Sequence, residues 1–307
     1  MIYNILWSDK SFGGAEIYVR KMKAQLGVEF IALKNSTFKE KLSLVKLLLN
    51  RKNQFIFHDA RASLLSLMRF YLCKDICVLH GPGKHAKLNE FLFRFMACYL
   101  KKVVLVSESI FNHLFSNTFI VIENESSLMS QANYQSQDAV YFGRVEQSKN
   151  VDALCHFWSK TAGTGMLHLV GDGSLLNGLK SQYEASGRII FYGAKTHREI
   201  EEIIPKCSFY ISLSAREGKS LALQEAMSCG LLPIVTDIPS QHFLQAKYSL
   251  KLVDPDLKNA SEVLAYFKNN SKSEKKTLGH KIKINNSQKA EGAWTHRWLA
   301  LLNRSNC

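Results

Sequence analysis

The stretch Ser214–Met227, SAREGKSLALQEAM, sets two carboxylates, Glu217 and Glu225, eight positions apart around Gly218-Lys219-Ser220 and an apolar run. Ser208–Leu213 before it reads as a strand, and the residues after Ser220 read as a helix. The backbone N–H groups of Gly218, Lys219, Ser220 and Leu221 would then be the open donors of a helix N-terminus, which suits a phosphate or diphosphate. The stretch is not a Walker A loop: that motif needs a glycine five places before the glycine of Gly-Lys-Ser, and Leu213 stands there. Glu225 falls roughly 7 Å along the helix axis from Ser220. At that offset a carboxylate can accept from both hydroxyls of a ribose, while Glu217, before the turn, can hold hydroxyls of a sugar. The acids would bracket the anion without touching it. The alternative is an acid placed by the helix dipole plus an exposed mid-helix glutamate, and spacing alone does not choose.

Further clusters bear on that choice. Tyr141–Asn150, YFGRVEQSKN, ends a strand at Gly143 and supplies Arg144 and Lys149, the natural counter-charges for a diphosphate lying near two glutamates; the plain alternative is a solvated loop. Leu169–Leu175, LVGDGSL, runs from strand through a glycine turn at Gly171 into a helix, but Leu176 occupies the place of a third dinucleotide-fingerprint glycine. In the first half, Ser11–Glu16, SFGGAE, follows a strand, and Gly13 and Gly14 allow close backbone approach to a ligand. Ile76–Gly83, ICVLHGPG, places His80 at the carboxyl end of another strand.

These residues need a scaffold that gathers strand ends. Strand patterns fall at Tyr3–Trp7, Glu29–Leu33, Gln54–His58, Ile76–His80 and Val103–Val106. A second series falls at Ala139–Phe142, Met166–Val170, Arg188–Phe191, Ser208–Leu213 and Pro233–Thr236. Helical patterns alternate with them, as at Ala15–Leu26, Ala60–Tyr71, Ser174–Glu184 and His197–Ile204. Such alternation predicts an α/β chain of two doubly wound, Rossmann-like domains, with ligands at the carboxyl ends of the strands and a shared cleft between them. The polar segment Glu123–Asp138 reads as the linker. The expected divisions are residues 1–130, 138–290 and a closing amphipathic helix over 291–307 that contains Trp294 and Trp298. The lysine-rich stretch Lys268–Lys289 reads either as a solvated helix face or as a mobile loop.

The 307 residues suffice for two domains, and 46% hydrophobic content supports ordinary cores. A formal charge of +14 attracts polyanions: nucleic acid, an anionic membrane surface or phosphorylated ligands. No helix-turn-helix or RNP-like motif accompanies the charge, so nucleic acid is not the expected partner. A non-catalytic, nucleic-acid-binding protein remains the competing class on charge alone. Lys84–Lys102 interleaves Lys84, Lys87, Arg94, Lys101 and Lys102 with Phe91, Phe93, Phe95 and Tyr99. It reads equally as a helix lying on anionic lipid and as a helix packed on the first sheet with a cationic outer face. No run of about 18 uncharged apolar residues spans a membrane, and MIYNILWSDK is not a signal peptide. Seven cysteines without CxxC spacing read as buried, reduced thiols of a cytoplasmic protein. No His/Cys cluster has zinc spacing, and Asp254-Pro-Asp256 suits a turn better than a metal site. Neither a metal nor another cofactor is expected.

With these motifs assembled, the chain resembles the GT4 family of retaining glycosyltransferases with the GT-B fold. The resemblance rests on EGKSLALQEAMSCG (Glu217–Gly230), GRVEQSKN (Gly143–Asn150) and GDGSL (Gly171–Leu175), and more loosely on SFGGAE, LHGP (Leu79–Pro82) and the final GAWTHRW. It implies transfer of a sugar from a nucleotide-sugar, UDP-linked for preference, to a glycan or lipid-linked glycan in cell-surface polysaccharide or lipopolysaccharide synthesis. Arg144 and Lys149 would bind the donor diphosphate. Glu217 would contact the donor sugar, Gly218, Lys219, Ser220 and Leu221 would supply backbone amides, and Glu225 would bind the ribose. The nucleobase would lie near Gly193 and Lys195, His80 would approach the transferred sugar, and Gly13 and Gly14 would close over the phosphates. The resemblance further implies front-face attack, with the leaving phosphate taking the acceptor proton, and a closing helix that crosses back to the first domain. Where the family often has an Asn-Gly pair, Asn124 is followed by Glu125. A synthase or hydrolase acting on a soluble sugar is the remaining enzymatic alternative. If the acceptor is lipid-linked, the enzyme would work at the inner face of a membrane.

Overall fold

A computed structural model describes residues 1–7, 14–34, 36–58, 60–69, 75–80, 102–106, 119–122, 128–161, 164–217, 220–248, 250–255, 257–287 and 293–303. The chain forms two compact units, one of Met1–Asn124 with Glu291–Cys307 and the other of Glu125–Ala290.

In the first unit the strands are β1 (Ile2–Leu6), β2 (Glu29–Ala32), β3 (Gln54–His58), β4 (Ile76–Leu79), β5 (Val103–Leu105) and β6 (Phe119–Val121). They form a parallel sheet in the order β2-β1-β3-β4-β5-β6. Side chains alternate across a strand, and β3 shows what that does here. Ile56 joins the core beneath helices Gly14–Leu26 and Ala293–Asn303, together with Tyr18, Met22, Trp294 and Trp298. Phe55 and Phe57 point the other way, to Leu44 and Leu48 of helix Phe38–Leu49. Both faces of the sheet are thus covered, and the closing helix packs within this unit.

The helical pattern over Ala60–Tyr71 forms only one α-helical turn, Ala60–Ser63, followed by a 3₁₀ segment, Leu64–Arg69; Tyr71 lies outside the described residues. The tighter winding accompanies a tertiary demand on Arg69. Its guanidinium is buried, pairs with Asp75 at 2.6 Å, donates to the Leu48 carbonyl and donates to the Asn53 carbonyl at 2.7 Å. Asp75 in turn accepts from the Phe55 amide at 3.0 Å. One buried ion pair therefore ties β3 and the approach to β4 to the end of helix Phe38–Leu49.

In the second unit the strands are β7 (Ala139–Phe142), β8 (Leu167–Val170), β9 (Ile189–Gly193), β10 (Phe209–Ser212), β11 (Leu232–Thr236) and β12 (Lys251–Val253). They too are parallel, in the order β12-β11-β10-β7-β8-β9. The unit's first strand, β7, lies beside its fourth, β10, so the winding reverses there and the loops leaving those two strands diverge.

A further sequence expectation changes, and one pair of alternatives is decided. The described part of the expected linker, 128–138, is packed onto this unit. Leu128, Ala132 and Tyr134 are buried, Asn133 donates its amide to the Cys207 carbonyl at 2.8 Å, and the Tyr134 hydroxyl donates to the Gly230 carbonyl at 3.2 Å. The Ser130 hydroxyl also donates to the Glu201 carbonyl at 3.0 Å, while Gln131, Asn133, Gln135 and Gln137 stay exposed. The lysine-rich stretch forms helix Lys272–Ser287, mostly cationic outside. Lys275, however, is buried, donating to the Ser136 carbonyl at 2.6 Å beside the Phe209 ring, and burial pulls its pKa down. Cys77, Cys155, Cys207 and Cys229 are free and buried.

Removing one partner of a buried ion pair strands the other charge. Arg69→Ala is expected to destabilise the first unit by about 3–5 kcal/mol, read as a lowered urea midpoint. An unchanged midpoint would show that the pair is not what holds these segments.

Candidate functional site

The loops that leave β7, β8 and β9 are fused backbone to backbone. The Gly143 amide donates to the Val170 carbonyl at 3.0 Å, the Gly171 amide to the Gly193 carbonyl at 2.8 Å, and the Val145 amide to the Asp172 carbonyl at 2.9 Å. A β-carbon on Gly171 would sit 1.8 Å from the Gly143 carbonyl oxygen, and one on Gly173 would sit 2.3 Å from that of Val145. Only glycine allows such contacts. The Tyr141 hydroxyl, buried behind the first loop, donates to the Arg144 carbonyl at 2.7 Å. The loop closes on Asn150, whose φ of +48° is left-handed, a conformation asparagine tolerates better than most residues.

The loops after β7 and β10 meet through charge. Lys149 Nζ lies 2.6 Å from Glu217 Oε1, with the two side chains only 18% and 11% exposed. Behind them Tyr210 is buried; burial first, and the Glu217 carboxylate second, push its pKa up, while Ser212 and Ser220 hydrogen bonds oppose the shift. Ser220 caps helix Leu221–Ser228 by accepting from the Leu223 amide at 3.2 Å. Gly218 and Lys219 lie outside the described residues. Arg144 pairs with Glu146 at 3.2 Å and keeps 37% of its side chain exposed.

Glu225, on that helix and 7% exposed at its side chain, reaches His197 Nε2 at 3.0 Å. His197 opens helix His197–Ile203, which begins because Thr196 and Glu199 form a capping box. The Glu225 hydrogen bond raises the His197 pKa against the opposing effect of burial. Lys195, one residue before the cap, pairs with Glu199 at 2.7 Å. The β9 loop is thereby tied to the helix after β10. Gly143, Arg144, Lys149, Gly171, Gly193, Lys195, Glu217, Ser220, Leu221 and Glu225 all stand on the strand ends β7–β10 or the helix that follows. Sequence reasoning missed His197: 28 positions separate it from Glu225, and no local pattern joins them. The Thr-x-x-Glu cap was the one signal available.

The remaining expected residues lie in the first unit. His80 follows β4, and its Nε2 lies 2.9 Å from His58 Nδ1; His58 Nε2 lies 2.8 Å from Asn4 Oδ1. Burial pulls the His80 pKa down to about 4, and burial and then His80 pull His58 well down. Each ring is thus neutral at pH 7 and holds one proton. With the Asn4 oxygen accepting, His58 donates to Asn4 and His80 donates to His58. Tyr18 stacks edge-on against His80 with centroids 5.1 Å apart, and its hydroxyl accepts from Trp298 Nε1 at 2.7 Å. The closing helix therefore buttresses His80 through Tyr18, a support that the sequence did not reveal. Gly14 opens helix Gly14–Leu26, while Gly13 and residues 81–101, including most of the basic-aromatic segment, lie outside the described residues. Asp256 does too. Among the described residues no group of three or more His, Cys, Asp or Glu is placed to hold a metal ion.

Two parallel-sheet α/β units of this topology make the GT-B fold. Sucrose-phosphate synthase from Thermosynechococcus elongatus superposes with a TM-score of 0.80 at 14% identity, over 99% of this chain and 98% of that one. Anabaena HepE in complex with UDP superposes with a TM-score of 0.74 at 15% identity, over 99% of each chain. Residues 128–278, nearly all of the second unit, match the family of glycosyl transferases group 1, and this stretch belongs to that GT4-like family. A GDP-mannose:cellobiosyl-diphosphopolyprenol alpha-mannosyltransferase of Komagataeibacter xylinus is 28% identical over 210 residues, 59% of this chain and 52% of that protein. The chain spans about half the length of the curated relatives it matches.

Two measurements test this geometry. Gly171→Ala would drive a methyl group into the Gly143 carbonyl. It is expected to destabilise the second unit by about 1–3 kcal/mol or more, read by chemical denaturation; wild-type stability would mean that the loops are not packed as described. Because the folded pKa of His197 is raised, its contribution is complete below about pH 6.5 and fades as pH climbs through the raised value. The loss in melting temperature on His197→Ala should therefore be larger at pH 6 than at pH 9. Its size is that of a half-exposed pair, at most about 1 kcal/mol. A pH-independent difference would remove the ion pair.

Proposed function

We propose that the chain is a retaining glycosyltransferase that moves a sugar from a nucleotide-sugar, UDP-linked for preference, to a glycan or lipid-linked glycan acceptor. The observation that carries this reading is the pair of acids, Glu217 and Glu225, each met by its own basic partner, Lys149 and His197, around the strand ends where the winding reverses. Two bare carboxylates would repel a diphosphate; two compensated ones can bind hydroxyl groups beside it.

In this reading the diphosphate rests on Arg144, Lys149 and the amides at the start of helix Leu221–Ser228, with Gly218 and Lys219 completing the turn. Arg144 would exchange Glu146 for phosphate. Glu225 accepts from the ribose hydroxyls, Glu217 from the transferred sugar, and the base lies along Gly193 and Lys195. As the bond from sugar C1 to the phosphate oxygen breaks, charge grows on the leaving diphosphate, where fixed cations and amides stabilise it without reorganising. A new C1–O bond forms to the acceptor hydroxyl, whose proton passes to the leaving phosphate oxygen. No metal is assigned a part. His80, neutral and with its proton given to His58, would accept from a sugar hydroxyl through Nδ1 and bring no charge. Gly13 and Gly14 are proposed to close over the phosphates.

The acceptor class draws its support from the Komagataeibacter relative, whose name specifies a diphosphopolyprenol-linked sugar. A place in cell-surface polysaccharide or lipopolysaccharide assembly, at the cytoplasmic side of a membrane, is part of the same proposal. Among the described residues no helix is long and apolar enough to cross a membrane.

Thermal shifts with UDP, GDP and ADP identify the base; UDP is expected to give the largest. Glu217→Ala should abolish transfer and keep nucleoside diphosphate binding. Glu225→Ala should weaken that binding by about 1.5–3 kcal/mol, the scale of hydrogen bonds to a charged group. If both variants bind all three nucleotides as the wild type does, the roles given to the acids are wrong. Equal sugar release with and without acceptor would make the protein a hydrolase instead.

A further inference from the structure

Helix Phe38–Leu49 carries two apolar faces where one would serve the fold. Leu44 and Leu48 are buried beneath it against Phe55 and Phe57. Phe38, Leu42 and Leu49 are 84%, 52% and 63% exposed, and Val45 is half-buried. At about 100° per residue, these four fall in one sector roughly 60° wide, well away from Leu44 and Leu48. Lys41 borders that sector on one side, and Lys39 and Lys46 border it on the other; all three are exposed. The surroundings are cationic too. Between Phe30 and Asn53 stand Lys34, Lys39, Lys41, Lys46, Arg51 and Lys52, against a single acid, Glu40. That acid is spent on the capping box, where it accepts from the Thr37 amide and hydroxyl at 2.6 Å and 2.9 Å.

The helix is also held firmly. The capping box fixes its start, and Arg69 grips its Leu48 carbonyl near the end. Its exposed stripe is thus a standing feature of the first unit and not the residue of a helix that has failed to pack. An apolar stripe rimmed by lysines fits the boundary between headgroups and acyl chains of an anionic bilayer, where the stripe enters the apolar layer and the lysines meet lipid phosphates. A protein partner of ordinary charge balance would leave these cations uncompensated.

We propose that the outer face of helix Phe38–Leu49, through Phe38, Leu42, Val45 and Leu49 with Lys39, Lys41 and Lys46, docks the protein on an anionic lipid surface. The donor site lies in the other unit, so this surface stands or falls separately from the roles given to Glu217 and Glu225.

The test uses the full chain and flotation with vesicles of phosphatidylcholine alone or of phosphatidylcholine with phosphatidylglycerol. Wild-type protein should float with the anionic vesicles, lose them as salt rises, and stay behind with the neutral ones. A Phe38→Ser, Leu42→Ser, Leu49→Ser variant should bind anionic vesicles at least tenfold more weakly. A Lys39→Glu, Lys41→Glu, Lys46→Glu variant, altered only at exposed positions, should do the same and keeps the test decisive if the first variant folds poorly. UDP-induced thermal shifts should match wild type in both. Vesicle binding unchanged in the lysine variant, or equal on neutral and anionic vesicles, overturns the proposal. So does light scattering in which the serine variant converts a dimer to a monomer, since the stripe would then be a face for a second copy.

Discussion

The site in the second unit depends on three strand-end loops lying backbone against backbone. Gly171 and Gly173 press on the carbonyls of Gly143 and Val145 at distances that leave no room for a side chain. From that contact the rest follows. With the loops of β7, β8 and β9 fixed to one another, Lys149 and His197 have defined positions, and each can reach an acid that arrives from β10 and the helix after it. A parallel sheet sends every strand end to the same edge; the glycines decide how closely those ends converge.

Charge then sets what the convergence can hold. Glu217 and Glu225 are largely screened from water, and an uncompensated carboxylate there would be costly and would repel an anion. Each is instead matched by a basic group from a different loop. The pairings serve two purposes at once: they tie β7 to β10 and β9 to the helix after β10, and they turn two negative groups into local acceptors compatible with a neighbouring diphosphate. At the carboxyl ends of β3 and β4 the first unit satisfies its buried polar groups without charge. Asn4, His58 and His80 form a chain of neutral groups, backed by Tyr18 and Trp298. One unit pairs its screened acids with basic groups, and the other keeps the His80 ring neutral.

Much of this could be read beforehand. Ten strands followed from short apolar runs, and β3 and β7 matched their expected bounds, Gln54–His58 and Ala139–Phe142. The edge strands β6 and β12 were missed because three residues such as Phe119–Val121 or Lys251–Val253 carry no periodicity. The expected linker looked solvated because Ser, Asn and Gln dominate it; in the fold its glutamines do stay exposed, while the Asn133 amide and the Ser130 and Tyr134 hydroxyls meet carbonyls of the second unit. The segment Ala60–Tyr71 had helical spacing, but the demand that Arg69 reach Asp75 goes with a tighter 3₁₀ winding. Lys275, in a stretch that reads as a solvated helix face or a mobile loop, is buried against Phe209.

The sequence by itself determined the class: alternating strands and helices, glycines at the turns after β7 and β8, and two acids flanking a helix start. These are local properties, written in spacing and residue type. Only the tertiary structure decided which cation meets which acid. Lys149 and Glu217 are 68 positions apart, His197 and Glu225 are 28, and His58 and His80 are 22. Pairing over such separations depends on strand order, and the order β10-β7-β8-β9 arises from how whole elements pack, which no short stretch of residues specifies.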